Sequence, residues 1–304
     1  MRVFVTGASG WIGSAVVPEL LGAGHQVVGL ARSADSATAL TAAGAEVVRG
    51  TIDDLDVLGA AAADSDAVIH LAFKHDIAFA GEFAAAAAAD RRAVETFGTA
   101  LAGSGRPLVI ASGLVGLFPG RVATERDRHA AAMGAGGGPG VRQATADLTL
   151  SLAERGVRST VLRLPPTVHG DGDNGFMAAI VGIARARGVS GYLGDGANRW
   201  PAVHRLDAAR LFRLALEEAP AGSVLHAVAD EGVPIRAVAE VIGRQLGVPV
   251  AEVTEPGAHF GWLAHVIGLD SPASSALTRD LLDWRPMRPG LLEDLEKGHY
   301  FQAG

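Results

Sequence analysis

The 304-residue chain contains no cysteine. Disulfides, thiolate metal sites and a cysteine nucleophile are therefore excluded. Tyrosine is scarce: Tyr192 and Tyr300 are the two examples, and aromatic residues make up 5% of the sequence. Long apolar runs are missing as well. Asp, Lys, Arg or Gly interrupts each hydrophobic stretch, so no bilayer span is expected. No basic segment with a cleavage site precedes the first apolar run, which predicts a soluble cytoplasmic protein without a signal peptide. Positive charge is in deficit, with 26 Lys and Arg against 33 Asp and Glu and a net charge of −7. That balance argues against nonspecific nucleic-acid binding. It leaves room for a small anionic ligand, which a few N–H groups and arginines can hold.

What the chain does have is core-forming material. Hydrophobic residues are 49% of the sequence and charged residues 19%. That suits one large α/β domain with a smaller attached lobe, or two domains. Alanine is over-used, and Ala84–Ala89 is an unbroken run that reads as an ordinary helix. The low-complexity stretch Gly134–Gly140 is expected to be a mobile loop.

The most informative segment is the first. Arg2-Val3-Phe4-Val5-Thr6 reads as a buried strand and runs directly into Gly7-Ala8-Ser9-Gly10-Trp11-Ile12-Gly13. Strand, glycine loop and helix in that order mark a dinucleotide site. Gly7 allows the tight turn. Gly10 lets the backbone approach a pyrophosphate, and Gly13 lets the helix pack close to the strand. The first helical N–H groups and the positive end of the helix dipole then face the phosphates. Gly7, Ser9, Gly10, Trp11, Ile12 and Gly13 are accordingly assigned to the cofactor.

Further short apolar runs alternate with helical patterns. Gln26–Ala31, Glu46–Arg49, Ala67–Leu71, Leu108–Ser112 and Ser159–Leu164 read as buried strands. This rhythm predicts a doubly wound parallel Rossmann sheet over residues 1–170, with right-handed crossovers. Pro18 interrupts the first helix pattern and should loosen a turn. Residues 171–304 read mostly as a smaller substrate lobe, with a return to the sheet near 203–216.

The end of the second strand speaks to the coenzyme. NAD-binding folds place an acid there to hold ribose hydroxyls. Here the position is Ala31, followed by Arg32, which can pair with a 2′-phosphate and stack on adenine. NADP(H) is therefore favoured over NAD(H). After the third strand, Ile52 or Asp53 is placed to line the adenine pocket, although Asp53 or Asp54 also suits a helix N-cap. Leu71 and Ala72 close the fourth strand, where small residues let the backbone pass under the cofactor.

Taken together, these residues resemble the extended or atypical short-chain dehydrogenase/reductases, the group of nucleotide-sugar epimerases and dehydratases. The matching pieces are Thr6–Gly13, Val68–Ala72, Ile110–Gly113, Leu162–Gly170, Val203–Ala209 and Leu282–Pro286. The resemblance implies a serine that bonds the substrate oxygen, and Ser112 fits. It implies that Pro165, Pro166, Thr167 and Val168 meet the nicotinamide carboxamide. It also implies a YxxxK pair, with tyrosine near Gly138 and lysine near Arg142. The chain instead reads Gly138-x-x-x-Arg142. Arginine can hold ribose hydroxyls but cannot exchange a proton at neutral pH, and glycine cannot replace a phenol. Family members often pair as homodimers through helices like those near 83–102 and 141–155. The alanine-rich face here is compatible with such pairing.

A proton donor must then come from elsewhere. Water is one source. His75, in Lys74-His75-Asp76 after the fourth strand, has the best-matched ordinary pKa, though a loop histidine is often only structural. Tyr192 lies in a glycine-rich loop on the substrate side and has a plain reading as an apolar plug. Arg199 and Trp200 can meet an anionic or aromatic substrate, or pack a lobe hinge. His169, His204 and Asp207 lack a metal-ligand spacing such as HxxxH, so no metal is expected. Three functions stay open. The favoured one is an NADP(H)-dependent oxidoreductase acting on a small-molecule carbonyl or alcohol. The others are a redox-neutral epimerase or dehydratase, and a non-catalytic NADP(H) sensor.

Overall fold

A computed structural model describes residues 1–127 and 139–302. Of the stretch Gly134–Gly140 expected as a loop, residues 134–138 lie outside the described residues, and Pro139 and Gly140 instead open a helix. The first half alternates strand and helix. In order these are β1 (Arg2–Thr6), α1 (Gly13–Gly22), β2 (Gln26–Ala31), α2 (Ala34–Ala42), β3 (Glu46–Arg49), α3 (Leu55–Ala63) and β4 (Ala67–His70). A one-turn α4 (His75–Ile77) leads to α5 (Phe83–Leu101), β5 (Pro107–Gly113), α6 (Pro139–Ser151) and β6 (Arg158–Leu164). The second half contributes β7 (Thr167–His169), α7 (Phe176–Arg187), β8 (Ser190–Tyr192), β9 (Arg199–His204), α8 (Arg205–Glu218), β10 (Ser223–His226), β11 (Asp230–Pro234), α9 (Ile235–Leu246) and β12 (Val250–Glu252).

Seven parallel strands form the main sheet in the order β10-β6-β5-β4-β1-β2-β3. The chain winds outward from β1 to β3, then crosses back to β4 and winds the other way. The crevice at that reversal opens above the carboxyl ends of β1 and β4, where α/β sheets bind ligands. The period of two along β1 explains the layering. Val3 and Val5 face one helical layer with Val16, Leu20, Leu211 and Phe212. Phe4 faces the other, with Phe97, Leu101 and Leu152.

Residues 203–216, where a return to the sheet is expected, pack on it mainly as a helix. That segment is β9 and helix α8, whose Leu211, Phe212, Ala215 and Leu216 are buried in the sheet's core. The strand that joins the sheet is β10, pairing with β6 from Ser223↔Thr160 to His226↔Arg163. The apolar spacing on α8 is that of a helix rather than a strand.

A second core forms the lobe. Trp200 of β9, Ile180 and Val181 of α7, Val238 and Ile242 of α9, and Phe260 and Leu263 pack together. Arg199 and Trp200 are used structurally. Arg199 makes a two-point ion pair with Asp270 at 2.9 and 3.0 Å, and the Trp200 indole donates to the Leu269 carbonyl at 3.1 Å. Remote pairs tie residues 278–288 to the sheet half. The Trp284 indole donates to the Asp207 carbonyl at 3.1 Å, while the Asp207 carboxylate accepts the Met287 and Arg288 N–H groups at 3.0 and 2.9 Å. Glu125 accepts both the N–H and the hydroxyl of Thr278 at 2.7 Å. Among the described residues no helix is long and apolar enough to cross a membrane.

Candidate active site

The glycine loop fits a dinucleotide phosphate group on steric grounds. Gly7 has φ of 66°, and a Cβ there would sit 2.8 Å from the Ala72 nitrogen. A Cβ on Gly13 would lie 2.1 Å from the Gly7 carbonyl oxygen, so the helix start and the loop can approach only because Gly13 has none. The Gly10 N–H donates to the Gly7 carbonyl at 3.0 Å and closes the turn. The N-cap residue of α1, Ile12, offers no side-chain cap; the Ser14 and Ala15 N–H groups donate to the Gly10 and Ile12 carbonyls, so the Trp11, Ile12 and Gly13 N–H groups are the donors left for an anion. Trp11 braces the loop from outside. Its indole donates to the Val168 carbonyl at 2.8 Å, and the Arg205 guanidinium stacks 4.4 Å from its ring centre.

At the adenosine end, Ala31 is fully buried and Arg32 reaches outward, 3.7 Å from Asp76. Arg49 ends β3 directly opposite Ala31. Its guanidinium donates to the Ser33 carbonyl, beside Arg32. Sequence reasoning missed Arg49, although its place as the last residue of β3 was the available signal. Ile52 is buried in the sheet's core. Asp53 holds the Lys74 ammonium and, at 3.5 Å, the Arg92 guanidinium. Its carboxylate is therefore engaged by two cations.

The reactive end is built where β4 and β5 finish. The Leu71 N–H donates to the Thr6 carbonyl at 3.2 Å, and the Ala72 N–H to the Thr6 hydroxyl at 3.3 Å. Beyond them Phe73 meets the His75 ring at 5.1 Å and the Phe83 ring at 5.7 Å. Arg142, half-buried on α6, stacks 4.2 Å from the Phe73 ring centre and donates to the Ala111 carbonyl at 3.3 Å. That bond brings its guanidinium to the strand that carries Ser112. The Ser112 hydroxyl and the Arg142 Nε are both buried with no hydrogen-bond partner. Burial, then the charge of Arg142, pushes the His75 pKa below the ordinary histidine value. Burial likewise lowers the Arg142 pKa, and Asp90 opposes that shift.

Pro165 and Thr167 are buried where β6 passes into β7, and the Thr167 hydroxyl has no partner. The two tyrosines belong to the lobe. Tyr192 packs against Gly196 and under the Arg236 guanidinium. The Tyr300 hydroxyl donates to Asp173 at 2.8 Å and accepts the Gly170 N–H. Burial, then Asp173, pushes its pKa far above the usual phenol range. His169 donates to Asp294 at 2.9 Å, and His204 caps α8 by accepting the Leu206 N–H at 3.2 Å.

Comparison with known proteins agrees with this geometry. Residues 3–106 match the model of the NAD dependent epimerase/dehydratase family. The amino-terminal third of the chain carries that family's pattern. The chain is 46% identical over 304 residues to an uncharacterised protein of Schizosaccharomyces pombe, covering 99% of this chain and 100% of that one. It is 24% identical to 4-hydroxy-2-methyl-3-oxo-4-farnesyl-3,4-dihydroquinoline-1-oxide ketoreductase of Stigmatella aurantiaca, over 90% of this chain and 84% of that one. The solved dTDP-glucose 4,6-dehydratase DesIV of Streptomyces venezuelae, with NAD bound, superposes with a TM-score of 0.77 and 21% identity. That match covers 98% of this chain and 96% of DesIV.

The Arg142 guanidinium keeps its charge at every working pH. The lowered pKa of His75 beside it makes that imidazole a base rather than a strong acid at neutral pH. The arrangement can hold and polarise an oxygen through Ser112 and Arg142 without a phenol.

Proposed function

We propose that this chain is an NADP(H)-dependent oxidoreductase of the short-chain dehydrogenase/reductase type, acting on a small-molecule carbonyl or alcohol. The observation that carries the reading is the pair of buried, unpartnered groups, Ser112 Oγ and Arg142 Nε, beside the phosphate-loop crevice. Buried polar atoms are ordinarily paired, and an oxygen-bearing substrate supplies the partner.

Gly7, Ser9, Gly10, Trp11, Ile12 and Gly13 would hold the pyrophosphate, Leu71 and Ala72 the passing backbone, and Pro165 and Thr167 the nicotinamide end. Ala31 supplies no acid against a 2′-phosphate, while Arg32 and Arg49 offer two cations there, which supports NADP(H) over NAD(H). When bound, the coenzyme supplies or accepts the reducing equivalents. Ser112 orients the substrate oxygen, Arg142 stabilises negative charge on it, and His75 or water handles the proton. The Stigmatella ketoreductase supports the carbonyl assignment, since the compound in its name bears a ring oxo group.

The test is direct. Purified protein is mixed with NADPH and a panel of ketones and aldehydes, and the nicotinamide absorbance is followed. Coenzyme oxidation that is lost in Ser112→Ala supports the reading. Tight NADPH binding with no turnover on any substrate favours a sensor instead. Substrate isomerisation without net coenzyme consumption favours the epimerase chemistry.

A further inference from the structure

We propose that Ser112 and Arg142 form an oxyanion site, and that the substrate brings to it an oxygen already ionised at neutral pH: a delocalised enolate conjugated to the reactive carbonyl. This rests on the oxidoreductase reading and narrows its substrate class.

The argument begins with the Arg142 charge. Its guanidinium is half-buried, and among the described residues it forms no ion pair. Asp90, the carboxylate whose charge is felt at Arg142, is held 3.1 Å from His70 Nε2. A guanidinium withdrawn from water calls for an anionic partner. One face of it is covered by the Phe73 ring and one Nη donates to Ala111, so Nε remains for that partner. Ser112 offers a second buried donor with no partner in the protein. Two donors at one strand end, one of them charged, suit an oxyanion better than a neutral ketone oxygen.

The walls select the kind of anion. Phe73 and Phe83 pack against each other beside Arg142. A compact, strongly hydrated anion loses much on entering such surroundings, whereas a delocalised one loses less. A flat conjugated anion also suits the aromatic surface. His75 agrees with this assignment. Burial and the nearby guanidinium favour its neutral form, so it does not compete as a second cation. Reduction of such a carbonyl consumes one hydride from the coenzyme and two protons, one for the new alkoxide and one for the enolate, and water supplies both.

The experiment measures binding, with turnover excluded by using oxidised coenzyme. Affinities of 1,3-cyclohexanedione (ionised at neutral pH), cyclohexanone and cyclohexanecarboxylate are measured by calorimetry with and without NADP⁺. The expected result is that the dione binds about tenfold or more tighter than cyclohexanone. That preference should collapse in Arg142→Gln and shrink in Ser112→Ala. Equal affinity for dione and ketone overturns the proposal. So does a carboxylate that binds as tightly as the dione. So does an Arg142→Gln protein that loses NADP⁺ affinity while keeping the dione preference, because Arg142 then serves the coenzyme. If Arg142→Gln does not fold, Ser112→Ala and Arg142→Lys are the deciding variants, and an unchanged preference in both overturns the proposal. Failure to bind NADP⁺ in the unmodified protein would count against the oxidoreductase reading itself, separately from the dione result.

Discussion

The Thr6 hydroxyl lies 2.6 Å from His70 Nδ1, at the point where β1 and β4 pair residue for residue. One hydrogen arrangement satisfies the whole chain of contacts. The Ala72 N–H donates to the Thr6 oxygen, the Thr6 hydroxyl to His70 Nδ1, and His70 Nε2–H to Asp90. Thr6, His70 and Asp90 are all buried. This network fixes the backbone that runs under the coenzyme site. Thr6→Val keeps the shape and strands two polar groups. It should cost about 1–3 kcal/mol in urea unfolding and weaken NADPH binding in a fluorescence titration. Unchanged values in both measurements would dissociate the network from the site.

The glycine loop permits a graded test. A Cβ on Gly13 meets the Gly7 carbonyl oxygen at 2.1 Å, and backbone cannot yield as a flexible side chain can. Gly13→Ala should therefore distort the loop, lower the melting temperature and abolish coenzyme binding. Gly10→Ala meets the same oxygen at 3.2 Å. It should fold with little loss of stability yet bind NADPH more weakly, because its methyl group intrudes where phosphate approaches. Equal behaviour of the two variants would argue against this division of roles.

Coenzyme choice should reside in Arg32 and Arg49. The double variant Arg32→Ala with Arg49→Ala removes both cations at the ends of β2 and β3. NADPH affinity is expected to fall about tenfold or more while NADH affinity changes little, since only NADPH carries the 2′-phosphate. Dissociation constants for both coenzymes at one ionic strength supply the comparison. A parallel loss for the two would place the choice elsewhere.

The Rossmann half was legible because its signals are local. Gln26–Ala31 and Glu46–Arg49 are strands with the same ends in the sequence reading and in the structure. Each has apolar periodicity and turn residues at its borders. The roles of Asp207 and Glu125 were not legible. Their partners lie in 278–288, and nothing in the intervening sequence announces those contacts. Arg199 and Trp200 were ambiguous for the same reason, since Asp270 and Leu269 decide their use. The reactive end was half legible. Ser112 and Arg142 stood at motif positions, but the Phe73 ring beneath the guanidinium depends on a crossing of elements that no motif encodes.

Buried His226 and half-buried His204 should make the fold acid-sensitive. His226 donates to the Ser274 carbonyl at 2.8 Å and accepts from Arg163 at 3.2 Å, and burial followed by the Arg163 charge lowers its pKa to about 4. Burial followed by His169 lowers His204 to about 4 as well. An unfolded histidine takes up its proton near pH 6.5. Between pH 6.5 and 4 the unfolded chain therefore binds more protons than the folded one, and stability falls as pH falls through that window. Above it the two histidines add no pH dependence. His204 is partly solvated, so it contributes less than His226. A combined loss of roughly 2–4 kcal/mol from pH 7 to 4 is expected. Asp173, whose carboxyl is raised by burial, acts in the opposite direction. Urea midpoints at pH 7, 6 and 5 measure the slope. His226→Gln retains an acceptor for Arg163 and a donor for Ser274 but cannot titrate, so it should flatten the slope. A slope in His226→Gln as steep as in the unmodified protein would assign the acid sensitivity to other groups.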